Sequence, residues 1–299
     1  MKIKSWITAF RLRTLPLSLS GIILGSFIAL SNGFWNWSIF IFSVFTTVLF
    51  QVLSNLANDL GDSINGADTE ERIGPLRAVQ SGEISKLSMK RAVYFFSFLS
   101  LVSAVLLIFY SIQNLTEELL CFYFLLAVLC IAAAIFYTVG KKAYGYNGLG
   151  DLFVFIFFGL VSLLGVYTLY SSDFNNINIL PAISIGLLST AVLNLNNMRD
   201  QVNDKNVGKN TIVVKIGPKN AVLYHVLLIL TSFVSLAYFM FLEKGWIGLL
   251  ALLPFLLLFK HISYVLSVKD KYKMFDTELK KVAILTFILS ITSSIILNL

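Results

Sequence analysis

Nine stretches of this chain stay apolar for long enough to cross a bilayer: about 15–31, 38–57, 91–112, 119–139, 149–170, 178–197, 220–242, 246–266 and 281–298. A hydrocarbon core roughly 30 Å thick needs about 20 apolar residues at about 1.5 Å of rise each. Each run is long enough to cross as a helix. The expectation is an all-α integral membrane protein, a bundle of nine transmembrane helices forming a single membrane-embedded domain over residues 1–299. Charged residues make up 13% of the chain, against about 25% in an ordinary globular protein, which argues against the two soluble domains that its length would otherwise suggest.

Charge orients the bundle. With the N-terminus on the cytoplasmic side, the inner segments hold Lys2, Lys4, Arg11 and Arg13; Arg72, Arg77, Lys86, Lys90 and Arg91; Lys141 and Lys142; Arg199, Lys205, Lys209, Lys215 and Lys219; and Lys260, Lys269, Lys271, Lys273, Lys280 and Lys281. That places 22 of the 23 basic residues inside and leaves Lys244 outside, an asymmetry that one missing or extra helix would spoil. Residues 1–14 mix basic and apolar side chains and read as a short interfacial helix, with Trp6 and Phe10 in the apolar layer and the cations at the headgroups. A signal segment fits less well, because 15–30 is long for its apolar region and no small-residue cleavage site follows.

The net charge of +7 is scattered over short loops and forms no stripe, so nucleic acid is not an expected partner. Cys121 and Cys130 lie on one apolar run, about 13 Å apart along a helix, too far to pair with each other, and read as small packing residues. His225 and His261, the two histidines of the chain, read as too few and too far apart for a histidine-built metal site.

Polar chemistry is concentrated in two places. The segment from Asn55 to Arg91 carries Asp59, Asp62, Asp68, Glu70, Glu71 and Glu83, and a shorter one from Asn196 to Lys219 carries Asp200 and Asp204. In the nine-span reading both face the cytoplasm. Asn58 and Asp62 are four residues apart with Asp59 beside them, and Asn196, Asp200 and Asp204 form a second row at the same spacing, so each set lines one face if its helix continues past the apolar run. Two like charges about 5 Å apart repel by roughly 3 kcal/mol at an effective dielectric near 20, so converging carboxylates need cations between them. Asp and Asn oxygens without His or Cys select a hard ion, Mg²⁺ above all, which takes one or two carboxylates plus substrate phosphates. Arg77, Lys141, Lys142, Arg199, Lys205 and Lys209 are interleaved, which together describes a diphosphate site. Solvated loop charge remains the competing reading for either row alone; two rows on one face disfavour it.

Three ordered motifs carry a family resemblance: N-D-L-G-D-S-I-N-G-A-D-T-E-E-R-I-G-P-L-R from Asn58, Y-T-V-G-K-K-A-Y-G-Y-N-G-L-G-D from Tyr137, and N-N-M-R-D-Q-V-N-D-K-N-V-G-K-N-T from Asn196. With A-F-R-L-R-T-L-P near the N-terminus, they resemble the UbiA superfamily of membrane prenyltransferases, most closely its MenA branch, the 1,4-dihydroxy-2-naphthoate polyprenyltransferases. The resemblance runs from Arg11 to Gly217, and the last three spans match only in being apolar. It implies that Asn58, Asp62, Asp68, Asn196, Asp200 and Asp204, with Asp59 adjoining, hold Mg²⁺ and the diphosphate of a polyprenyl diphosphate. It implies further that Lys141, Arg77, Arg199 and Lys209 bind the diphosphate, and that Tyr137 lies near the reacting allylic carbon. Asn203 stands where many relatives carry an acidic or small residue and is expected to be neutral.

The activity so implied is Mg²⁺-dependent transfer of a polyprenyl group to 1,4-dihydroxy-2-naphthoate in a bacterial cytoplasmic membrane, the ring carbon that carries the carboxylate being attacked and CO₂ leaving. The alternatives are a 4-hydroxybenzoate or haem acceptor and, from another class, a secondary transporter for an anionic metabolite. Transporters place ionisable groups near the bilayer midplane, where these apolar runs are nearly charge-free. The oligomeric state and the prenyl chain length have no signature in the sequence.

Overall fold

The computed structural model describes residues 3–67, 73–140, 143–171, 175–268 and 274–299. Among the described residues the chain is helical, without strands: α1 Ile3–Phe10, α2 Leu15–Ser31, α3 Trp37–Asn65, α4 Lys86–Ser111, α5 Glu117–Phe136, α6 Gly150–Tyr170, α7 Ile179–Asn206, α8 Ile212–Gly248, α9 Phe255–Ser267 and α10 Phe275–Leu297. Side-chain caps set several starts. Asn36 accepts from the Ser38 and Ile39 amides (2.9 and 3.3 Å), and Ser85, Thr116 and Thr211 cap α4, α5 and α8 in the same way.

Among the described residues eight helices are long and apolar enough to cross a membrane, counting α2 together with the segment before it. The expected span 246–266 takes another form. Helix α8 runs on through a break at Gly245 (φ 58°), a 3₁₀ turn follows at Leu249–Leu252, and α9 then has only 13 residues. At about 1.5 Å per residue α9 is about 20 Å long, short of the hydrocarbon thickness on its own.

Two helices overrun their apolar stretches. The apolar runs end near 57 and 197, yet α3 continues to Asn65 and α7 to Asn206. With 29 and 28 residues they are each over 40 Å long at about 1.5 Å per residue, so their last turns extend beyond a core roughly 30 Å thick. The polar rows are therefore helical. Gly66 closes α3 in the left-handed region (φ 71°), where a side chain would be strained.

Small residues bring α6 and α7 together. A Cβ on Gly159 would sit 2.7 Å from the Gly186 Cα, and one on Gly186 would meet Phe155 at 2.8 Å, so neither position admits a side chain without separating the helices. Across this contact α6 is wound as a π-helix over Phe155–Gly165. On the far side, α4 and α5 turn Phe95, Phe98, Phe109, Phe122 and Leu125 outward, as lipid contact requires.

Two expectations change on folding. Trp6 and Phe10 of α1 are half-buried against α3 and α4, with the Phe10 and Phe96 rings 5.3 Å apart, rather than immersed in lipid. Asn55 holds the segment there, donating to the Phe10 carbonyl (2.9 Å) and to Thr14 Oγ1 (3.2 Å). His225 and His261, far apart in sequence, meet in space. Their Nε2 atoms are 2.9 Å apart, His261 Nδ1 lies 2.5 Å from Glu278 Oε2, and Lys281 closes the chain at 2.5 Å, tying α8, α9 and α10 together by a buried polar link.

Candidate functional site

The end of α3 is organised by what its row touches. Asp62 is buried; one oxygen is ion-paired to Arg77 and the other accepts from the Tyr146 hydroxyl at 2.6 Å. Arg77 also donates to the Asn58 carbonyl (3.3 Å), and Asn58 Oδ1 accepts from Thr138 Oγ1 (3.2 Å). Asp59, the neighbour on the helix, faces elsewhere. Its carboxylate accepts from the Ala78 and Val79 amides at 3.1 and 3.3 Å, so it clamps the loop that carries Arg77 instead of joining Asp62.

The α7 row is gathered by Arg199. Its guanidinium grips Asp200 through two bonds (3.0 and 2.7 Å), Asn196 Oδ1 at 2.8 Å and, from α10, Asp276 at 2.7 Å. One turn on, Lys209 lies 3.7 Å from Asp204 and 5.5 Å from the centre of the Tyr146 ring. Tyr146 thus joins the rows, bonding Asp62 of α3 through its hydroxyl and meeting Lys209, the partner of Asp204, through its ring face. A second link is Asn203, whose side chain donates to the Ala67 carbonyl at 3.1 Å. The residue expected to be neutral holds the two halves together.

Two cavities adjoin at these helix ends. One, of about 340 Å³, is mostly apolar and extends along α3 from Asn58 to Ser43, about 22 Å at 1.5 Å per residue. At its polar end stand the rings of Tyr137, Tyr144 and Phe153, the last two stacked 4.0 Å apart. The other, of about 430 Å³, is cationic: Arg11, Arg13, Arg77, Arg199 and Lys280 line it with Asp59 and Asp276. Asn58 and Leu193 line the first cavity while their chain neighbours Asp59 and Val192 line the second, so the wall between them is the α3 and α7 backbone itself. A long apolar slot whose polar end lies at Asn58 and Tyr137, one turn from Asp62, suits an amphipathic anion.

Tyr137 follows α5 and is packed against glycine. A Cβ on Gly145 would lie 3.0 Å from its ring, and one on Gly150 would lie 3.2 Å from its hydroxyl. Burial above all, then the Asp151, Asp62 and Asp204 carboxylates, push its pKa above the ordinary tyrosine range, so the phenol stays protonated. Burial and the bonded Asp62 carboxylate do the same to Tyr146.

Of the residues expected from sequence, Asn58, Asp62, Arg77, Asn196, Arg199, Asp200, Asp204, Lys209 and Tyr137 all fall at the α3 and α7 ends or beside the cavities; Asp68, Lys141 and Lys142 lie outside the described residues. Among the described residues no three or more His, Cys, Asp or Glu side chains converge as a metal cluster, and guanidinium groups hold Asp62 and Asp200. The oxygen-only donors of the two rows nonetheless suit a hard cation. Sequence reasoning missed Tyr146, Asn203, Asp276 and the arginines of α1's exit. Tyr146 had a signal, being quoted in the middle motif without a role.

An all-helical membrane bundle with a polar site shared by two helix ends and a hydrocarbon slot beneath it is the architecture of a multi-pass enzyme that handles a lipid anion. The chain belongs to the UbiA prenyltransferase family, whose model matches residues 18–291. It is 41% identical over 275 residues to the 1,4-dihydroxy-2-naphthoate octaprenyltransferase of Escherichia coli, covering 91% of this chain and 88% of that one. To the Mycobacterium tuberculosis protein of the same name it is 34% identical over 253 residues, covering 82% of each. The fold matches a UbiA homolog from Aeropyrum pernix (TM-score 0.64, 18% identity, 100% of this chain and 97% of that one) and a UbiA homolog from Archaeoglobus fulgidus bound to GPP and Mg²⁺ (TM-score 0.61, 15% identity, 97% and 100%). Family membership sets the transporter alternative aside.

Proposed function

We propose that the protein transfers a polyprenyl group from polyprenyl diphosphate to 1,4-dihydroxy-2-naphthoate, releasing diphosphate and CO₂ and forming a demethylmenaquinol. The observation that carries this is the apolar slot along α3, whose polar end at Asn58 and Tyr137 lies beside the polar end of α3. The names of the relatives support the naphthoate as acceptor. In this reading residues 1–299 form one domain crossing a bacterial cytoplasmic membrane nine times, with the N-terminus and the site on the cytoplasmic side.

Magnesium would be held by Asn58, Asp62, Asp68, Asn196, Asp200 and Asp204, and bound there it would neutralise charge on the leaving diphosphate. Asp59 keeps its place on the loop amides. Arg77, Arg199 and Lys209, with Lys141 from the middle motif, supply the remaining positive charge as the allylic C–O bond lengthens. The prenyl tail lies in the slot along α3, which excludes the water that would otherwise capture the allylic cation. Tyr137, Tyr144 and Phe153 present aromatic rings at the polar mouth, where that cation forms.

An acceptor competition tests the reading. Membranes containing the protein, a polyprenyl diphosphate, and naphthoate and 4-hydroxybenzoate at equal concentration should yield demethylmenaquinol as the main product; prenylated 4-hydroxybenzoate as the main product contradicts it.

A further inference from the structure

Helix α5 lines the apolar slot with Tyr123, Leu126, Ala127, Cys130, Ala133 and Ala134, a stripe at three- and four-residue spacing that leads to Tyr137 at the polar mouth. Most of these side chains are small, and the space they leave is the bore of the slot. Cys130, read from sequence as a packing residue, faces that bore. Fourteen residues separate Tyr123 from Tyr137, about 21 Å at about 1.5 Å per residue, in agreement with the length measured along α3 from Asn58 to Ser43.

At that depth the slot is closed. Ser43 of α3, Leu107 of α4, Tyr123 of α5 and Leu169 of α6 all line it there, and all four are buried. The Tyr123 hydroxyl donates to the Gly165 carbonyl of α6 at 2.6 Å and meets the Thr168 hydroxyl. Elsewhere α5 packs along α3 and α4 and has little contact with α6, and it buries the smallest share of its residues of any span. The tie at Tyr123 therefore joins two helices that are otherwise separated by the slot.

Four carbon–carbon bonds near 1.5 Å make an extended isoprene unit about 5 Å long, so the closed bore holds about four units. A tail taken from lipid gains little by entering an apolar slot, because the two surroundings are equally apolar. Discrimination between donors must then come from length. We propose that Tyr123 determines which polyprenyl diphosphates the protein uses: with its hydroxyl on α6 the slot admits tails of up to about four isoprene units, and a longer tail binds only when that tie is released and the chain passes between α5 and α6 into lipid. This inference rests on the reading above that the prenyl tail occupies the slot.

The test uses the full chain in membranes with the naphthoate and polyprenyl diphosphates of two and eight isoprene units. The readout is kcat/KM for the eight-unit donor divided by that for the two-unit donor, since a loss of folded protein affects both alike. Tyr123→Phe keeps the ring and removes the tie, and should raise this ratio about fivefold, the size of one hydrogen bond. Ala127 lies about 15 Å from Tyr137 at about 1.5 Å per residue. Ala127→Trp should therefore leave the two-unit donor within about twofold and lower the ratio about tenfold or more by overfilling the bore. Ala127→Leu should act in the same direction and carries the test if the Trp variant does not insert. Leu125→Trp, at similar depth on the exposed side of α5, should leave the ratio unchanged. A ratio unchanged or lowered in Tyr123→Phe overturns the role of Tyr123. A ratio unchanged in both Ala127 variants overturns the placement of the tail in the slot, and wild-type protein that leaves the naphthoate unprenylated with either donor overturns the proposed function instead.

Discussion

Removing Arg199 should do more damage than removing the carboxylate it holds. In Arg199→Met the Asp200 carboxylate, 4% exposed, loses both guanidinium bonds (3.0 and 2.7 Å) and is left buried without a cation. Breaking a buried ion pair from one side costs about 3–5 kcal/mol, most of it the uncompensated charge. Asp276 contributes little to this total, since it is half-exposed and keeps Lys280 at 2.8 Å. In Asp200→Asn, by contrast, Arg199 retains Asp276 and Asn196, so that variant should lose about 1–2 kcal/mol. The double variant Arg199→Met/Asp200→Asn removes the stranded charge and should recover about 2 kcal/mol relative to Arg199→Met alone. Reversible denaturation in mixed micelles measures all three. If Arg199→Met costs less than Asp200→Asn, or the double variant is no better than Arg199→Met, Arg199 is not the organiser of the α7 row.

Three further outcomes are expected. Asp62→Asn should remove most turnover while the protein remains folded and inserted, because Asp62 sits at a polar helix end and not in the apolar core; wild-type activity in membranes would contradict its place in the site. Asn203→Ala breaks the bond to the Ala67 carbonyl between the two halves and should cost about 1 kcal/mol and raise KM for the polyprenyl diphosphate, an unchanged KM showing that the link is dispensable. In a variant lacking Cys121 and Cys130, an impermeant thiol reagent added to intact cells should label Lys244→Cys and spare Lys205→Cys, and the reverse pattern would invert the topology.

Much of the membrane architecture was legible because the solvent enforces it: a run of about 20 apolar residues has few alternatives to a helix in hydrocarbon. The two polar rows were legible for a related reason, since Asp and Asn at four-residue spacing can share a face only on a helix. Where α3 and α7 end was not. Their last turns carry no apolar periodicity and are anchored by distant partners: Ala78 and Val79 for Asp59, Tyr146 for Asp62, Asp276 for Arg199. The pairing of Arg199 with Asp276 joins residues 77 positions apart, and nothing local to either one announces it. The meeting of His225 and His261 was hidden in the same way, by the packing of α8 against α9. Asp59 illustrates the converse. Its adjacency to Asn58 placed it with the row expected to hold metal, and one residue of helical rotation turned it to the loop amides instead.

If the α3 and α7 ends form one metal-dependent diphosphate site, prenyl transfer and loss of the carboxylate depend on it together. Naphthoate labelled with ¹⁴C in its carboxylate, supplied with polyprenyl diphosphate to the purified protein in lipid, tests it in one reaction. One labelled CO₂ should appear for each diphosphate released, abolished by EDTA and restored by excess Mg²⁺. Prenylated product that retains the label, or turnover indifferent to EDTA, would contradict it.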